Sequence, residues 1–134
     1  LIWIREKISL KNTLLIFFGC GFGGLFRYWI ANLAYLLLGR GFPYGTLVVN
    51  VSGAFIMGLL TVLAQERLSS MAAPMRHLLM IGLLGGYTTF SSFSIETFAL
   101  IESANYLGAT LNIILSVSLC LLAVWLGILL GRQL

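Results

Sequence analysis

Charged side chains are scarce in this sequence: they make up 9% of its 134 residues, against 60% hydrophobic. A water-soluble domain of this size carries roughly 25% charged residues, so the chain cannot clothe a surface in water. Its mean hydropathy of +1.03 agrees. Acidic residues number four and histidine one, which leaves no Ser–His–acid set and no cluster of metal-ligating side chains. The chain does not read as an enzyme, and His77 reads as an interfacial side chain at a span end. The eight Lys and Arg residues are scattered at segment ends, without the basic stripe that nucleic-acid binding needs. Cys20 and Cys120 both fall in apolar runs, where a thiol behaves as a small apolar side chain; neither a disulfide nor a metal site is expected.

What the chain does have is long apolar runs without period-two alternation. In lipid only helices and closed barrels satisfy their own backbone, and such runs select helices. Four spans of ~20 residues account for most of the length, so residues 1–134 read as one four-helix transmembrane domain. Span 1 covers about 12–38, with Arg27 its only charge, and "GRGFPYG" (39–45) breaks it. Span 2 is 46–64. A polar linker, "QERLSSMAAPMR" (65–76), carries Pro74 where a first helical turn accepts it. Span 3 begins near His77, polarity rises at "IESANYLG" (101–108), and span 4 runs uncharged to Arg132.

Arg5, Lys7 and Lys11 ahead of an apolar run resemble a signal peptide. The run is too long for one, contains Arg27 and shows no A-x-A-like cleavage site, so it reads as a retained first span. Four spans put Arg5, Lys7, Lys11, Arg67, Arg76 and Arg132 on one side and Arg40 on the other. The positive-inside rule makes the first side cytoplasmic, in a multi-pass protein of the inner membrane.

Small residues recur at helical spacing. Gly19 and Gly23 form a GxxxG step; Gly45, Val49, Gly53 and Gly58 mark span 2; Gly108, Asn112, Ser116 and Cys120 form one stripe on span 4. Small faces let helices approach where no hydrophobic effect drives association. Four helices are few to enclose a polar pathway, so an oligomer is expected.

Against this background "GGYTTFSSFSIE" (85–96) is costly. On a helix Phe90, Phe93 and Thr97 share one face, with Ser91 and Ser94 on an adjoining stripe. Gly85 and Gly86 weaken a helix centre by roughly 1 kcal/mol each. Two readings stand: a kink held by Ser/Thr back-bonding, or a broken helix. A break frees carbonyls for a cation and leaves hydroxyls to cap the second half. Asn50 sits in mid-span, as an interhelical hydrogen bond or a pore donor. Arg27 and Glu96 are ionisable groups inside spans, each costing roughly 2.5–3.5 kcal/mol at a span centre. Arg27 either snorkels to an interface or serves a vestibule. Tyr28, Trp29 and Trp125 read as interfacial anchors.

Arg27 with Tyr28 in span 1, "GTLVVNVSGAF" in span 2 and above all "GGYTTFSSFSIE" in span 3 resemble the small fluoride channels of the Fluc family over nearly the whole chain. The resemblance implies an all-α membrane protein with a broken third helix, assembling as an antiparallel dimer with two pores lined by both subunits. It implies that Phe90 and Phe93 face the ion and that Asn50 lies beside its path. Ser91, Ser94, Thr97, Asn112 and Ser116 supply further donors. Gly85 and Thr88 match positions whose carbonyls hold a structural sodium ion at the dimer centre. Arg27 matches a vestibule arginine, and Glu96 the carboxylate ending the motif. Asn112 stands where some members have tyrosine, and Cys120, a weaker donor, where their hydroxyl track continues.

The physics agrees with passive fluoride export. A small, strongly hydrated anion needs donors that replace its water without trapping it; amide hydrogens, hydroxyls and phenyl edges are such groups. The six-to-one charge bias sits awkwardly with self-assembly in opposite orientations. The expected partner is therefore a second copy, or an oppositely oriented paralogue. The competing reading is a small multidrug/proton antiporter; that chemistry needs a carboxylate on the first span, where this chain has Arg27.

Overall fold

The computed structural model describes residues 8–64 and 72–134. Arg5, Lys7 and Arg67, which carry part of the expected charge asymmetry, lie outside them, as does most of the 65–76 linker. Among the described residues four stretches are long and apolar enough to cross a membrane: Leu10–Leu38, Tyr44–Val62, Ala73–Glu102 and Tyr106–Gln133. The four expected spans are all present.

Local chemistry sets their ends. Helix α1 (Leu10–Leu38) starts behind Ser9, whose hydroxyl accepts the Asn12 N–H at 3.2 Å. It stops at Gly39, which takes φ +86° while its N–H returns to the Tyr35 carbonyl; glycine reaches that conformation without steric cost. Helix α2 (Tyr44–Val62) begins two residues earlier than the sequence suggests, directly after Pro43, because proline's missing N–H falls where a helix has no use for one.

The third span is composite. A short α3 (Ala72–Met75) leads into nine residues of wide π-type turns (Arg76–Leu84), then α4 (Gly85–Tyr87), an extended pair Thr88–Thr89, and α5 (Phe90–Glu102). It starts at Ala72, ahead of the expected His77, with Pro74 inside the first turn. A tight turn through Ala104, at φ +59°, leads into α6 (Tyr106–Gln133), where Asn105 Oδ1 accepts the Gly108 N–H at 3.0 Å.

Small residues decide which helices pair. A Cβ at Gly19 or Gly23 would overlap the Leu78 or Leu83 carbonyl, so α1 lies backbone-to-backbone on the first half of the third span. Gly58 meets the Val124 carbonyl and Gly127 that of Phe55, which draws α2 and α6 together in the same way. A small core of Val49, Leu84 and Tyr87, sealed by Ile30, Ala31, Met57 and Leu60, joins the two pairs. Helix α5 packs chiefly on α6 and leaves Phe90, Ile95 and Phe98 exposed.

Candidate functional site

The third helix is broken, and the threonines break it. Thr88 and Thr89 take extended backbone (φ −77°, ψ 157° and φ −153°, ψ 114°), while Gly85 and Gly86 remain helical. The glycines were expected to weaken the helix centre. Instead Gly86 provides a close approach: a Cβ there would lie 2.5 Å from the Cys20 carbonyl oxygen.

Side chains satisfy the backbone that the break sets free. Thr89 caps α5, its hydroxyl accepting the Ser92 N–H at 3.2 Å. Asn50 reaches across from α2 and meets the Thr89 peptide twice. Its Nδ2 donates to the Thr89 carbonyl at 3.0 Å, and its Oδ1 accepts the Thr89 N–H at 2.8 Å. Asn50 therefore makes the interhelical hydrogen bond that its mid-span position suggested, and makes it to main chain.

These caps have a consequence for two carbonyls. In an unbroken helix the Thr89 N–H would serve the Gly85 carbonyl, and the Ser92 N–H that of Thr88. Asn50 and the Thr89 hydroxyl divert both donors. The Gly85 and Thr88 carbonyls thus lose their regular helical partners at the C-terminal, partly negative end of a half-helix. Gly85 is exposed, and the nearest atom to a Cβ built there is 3.9 Å away. Carbonyl oxygens so placed suit a hard cation such as sodium.

Beyond the break, a groove of about 430 Å³ runs between α2, α5 and α6. Asn50, Thr88, Phe90, Phe93, Ser116 and Cys120 are among its lining residues. The two phenyl rings lie 5.2 Å apart at 42°, and Phe90 is 78% exposed on the single chain. Behind Phe93 a chain of buried polar groups descends along α6. Ser116 donates to Asn112 Oδ1 at 3.4 Å, Asn112 Nδ2 to Thr97 Oγ1 at 2.8 Å, and Thr97 to the Phe93 carbonyl at 2.7 Å. The α6 stripe of Gly108, Asn112 and Ser116 is buried as one face. Ser91 and Ser94 are exposed on α5; Ser91 shares a 3.1 Å contact with the Thr89 hydroxyl, and Ser94 donates to the Phe90 carbonyl at 2.9 Å.

Glu96 lies one turn beyond Phe93, in a different setting. Its Oε1 accepts from Tyr35 at 3.0 Å and from Thr46 at 2.8 Å. Its Oε2 is buried without a hydrogen-bond partner among the described residues. A second cavity, also about 430 Å³, opens beside it, with Arg40 held 5.8 Å from the Tyr35 ring centroid. Arg27, half-buried on α1, is no partner of this carboxylate. Sequence reasoning missed Tyr35 and Thr46. The polar hydroxyl of Thr46 near the start of a charge-free span was the one local signal.

The CrcB-like (camphor resistance, CrcB) family model matches residues 14–128. A protein of Coxiella burnetii (strain Dugway 5J108-111) named fluoride-specific ion channel FluC is 60% identical over 123 residues, covering 92% of this chain and 99% of that protein. Proteins of the same name from Geobacter sulfurreducens and Methylococcus capsulatus are 50% and 53% identical over 112 residues, each match covering 84% of this chain. The matches cover 90% of the Geobacter protein and 49% of the Methylococcus protein.

Proposed function

The chain belongs to the CrcB-like family, and from that premise we propose that it is a fluoride-selective channel of the bacterial inner membrane, carrying fluoride passively out of the cytoplasm. The observation that carries this reading is the break at Thr88–Thr89. It gathers neutral dipoles, and no fixed positive charge, around a groove edged by two phenyl rings.

Fluoride holds its water tightly, and a lysine or arginine at the narrowest point would bind it too firmly to let it leave. The groove meets this requirement with the amide of Asn50 and the positive edges of Phe90 and Phe93, while Asn112 and Ser116, bonded to each other and to Thr97, form its polar backing. Asn50 keeps its second amide hydrogen after serving Thr89. Arg27 raises the local anion concentration from a vestibule outside the constriction.

On one chain the groove is open on the side where Phe90 projects. A second copy in the opposite orientation closes it and makes two equivalent pathways. The Gly85 and Thr88 carbonyls of both copies then meet on the two-fold axis, where a sodium ion neutralises their facing dipoles. An oppositely oriented paralogue would serve equally well for a chain with a strong charge bias. The exchanger reading has less support, because the embedded carboxylate, Glu96, is already engaged by two hydroxyls and lines the second cavity, not the groove.

The test is efflux from liposomes containing the purified protein, followed with a fluoride electrode. With a potassium ionophore carrying the counter-charge, fluoride leaves rapidly while chloride stays inside, and protein-free liposomes keep both. Retained fluoride, or equal loss of both halides, refutes the proposal.

A further inference from the structure

One turn of α2 grips the break residue by residue. Asn50 holds the Thr89 peptide, as described. Gly53 receives the methyl group of Thr88, whose hydroxyl is turned back to the Leu84 carbonyl at 2.9 Å. Ser52 holds Tyr87, with 2.8 Å between their hydroxyl oxygens. The last contact has a defined direction. Ser52 has one hydroxyl hydrogen and lies 2.7 Å from the Val48 carbonyl, an acceptor only. That hydrogen goes to Val48, so the phenol of Tyr87 donates to Ser52 Oγ.

Tyr87 is the last helical residue before the break, and it is 6% exposed. Its ring packs with Val49 and Leu84 in the core that joins the two helix pairs. A ring held only by packing can slide and turn about its long axis; a phenol bound at its tip cannot shift along α2. The bond therefore fixes how far the first half-helix advances before the chain turns extended. That distance sets where the Thr88 carbonyl and the Phe90 ring emerge.

We infer that the Tyr87–Ser52 hydroxyl pair is a positioning device for the pathway: it locks the end of the first half-helix to α2, and so places the break that presents the groove's dipoles. Tyr87 and Ser52 touch no ion and act through the residues that follow them. The inference rests on the channel reading for its functional readout and on geometry alone for its structural one.

Tyr87→Phe deletes the phenol while keeping the ring in the core; Ser52→Ala deletes the acceptor. The lock predicts that Tyr87→Phe lowers the initial fluoride efflux rate per assembled channel about tenfold, the rate equivalent of one net hydrogen bond. Assembly stays at the wild-type level and melting temperature falls only by the few degrees one lost hydrogen bond costs, a loss that a mere packing contact would not carry into flux per assembled channel. The double variant falls no further than the worse single one, because both remove the same interaction. Ser52→Thr keeps the hydroxyl and restores the rate. Hydrogen exchange gives an independent reading: amides 88–92 exchange faster in Tyr87→Phe, with the rest of the protein unchanged. Unaltered exchange at those amides overturns the lock. So does unaltered flux in Tyr87→Phe when the wild type conducts, or two single losses that multiply in the double. A wild type that holds its fluoride refutes the channel reading instead, and the exchange comparison then decides the lock by itself.

Discussion

Replacing Asn50 by aspartate separates the two roles assigned to that side chain. In the native chain the amide donates to the Thr89 carbonyl at 3.0 Å and accepts the Thr89 N–H at 2.8 Å. Aspartate keeps the acceptor, and its charge strengthens that bond. It also sets an oxygen against the Thr89 carbonyl where a donor stood, at a cost of about 1–3 kcal/mol. Alanine loses both bonds and leaves a peptide N–H and C=O unfilled, which costs about twice as much. The aspartate's charge inside a span costs about 2.5–3.5 kcal/mol more, so if Asn50 only braces the break the two variants are about equally destabilised and conduct alike.

The pathway role separates the two variants for transport alone. A full negative charge about 6 Å from a passing anion raises its barrier by about 3 kcal/mol at an effective dielectric of 20, or about a hundredfold in rate. Asn50→Asp and Asn50→Ala should melt close together in detergent, yet the aspartate variant should pass about a hundredfold less fluoride per assembled channel from liposomes. If the two variants conduct alike, Asn50 is a brace and not part of the path.

Other consequences are more local. Phe90→Ile or Phe93→Ile removes a ring edge without removing bulk, and fluoride efflux should fall at least tenfold while the oligomer seen by size-exclusion chromatography is retained. Gly86→Ala sets a methyl against the Cys20 carbonyl and should cost about 1–3 kcal/mol by overpacking; a methyl at Gly85 comes no nearer than 3.9 Å to the described residues of its own chain, so a fall in melting temperature in Gly85→Ala reports a second copy at the two-fold axis. Asn112→Leu strips the Thr97 hydroxyl of its donor in a site where Asn112 is 2% exposed, so both melting temperature and flux should drop, the first by about 1–3 kcal/mol of stability.

The four spans were legible because hydrocarbon leaves a simple signature: an unbroken apolar run long enough to cross it. The break was legible in part: five Ser and Thr residues in mid-span left a kink or a break as readings, and the family resemblance chose the break. Its exact cause was not. Glycine propensity pointed to Gly85 and Gly86, but a propensity measured for isolated helices does not register the Cys20 backbone waiting to pack against Gly86. The partners of Glu96 were hidden for a different reason. Tyr35 lies 61 residues away in sequence and Thr46 lies 50 away, and no periodicity links positions on three different helices. Ser52 was hidden by its neighbour: two residues after Asn50 it points to another sector of α2, so the two grips on the break looked unrelated. The π-type turns of Arg76–Leu84 leave no mark in the residue pattern.

A channel of this kind passes fluoride alone, down its gradient, past neutral dipoles. The most direct measurement is fluoride efflux from potassium-loaded liposomes with and without a potassium ionophore. Conduction of a bare anion builds a voltage that halts it, so efflux should stall without the ionophore and run freely once potassium can follow, with no change in internal pH. Efflux that proceeds without the ionophore and carries protons with it would mean exchange or co-transport, and would contradict the claim.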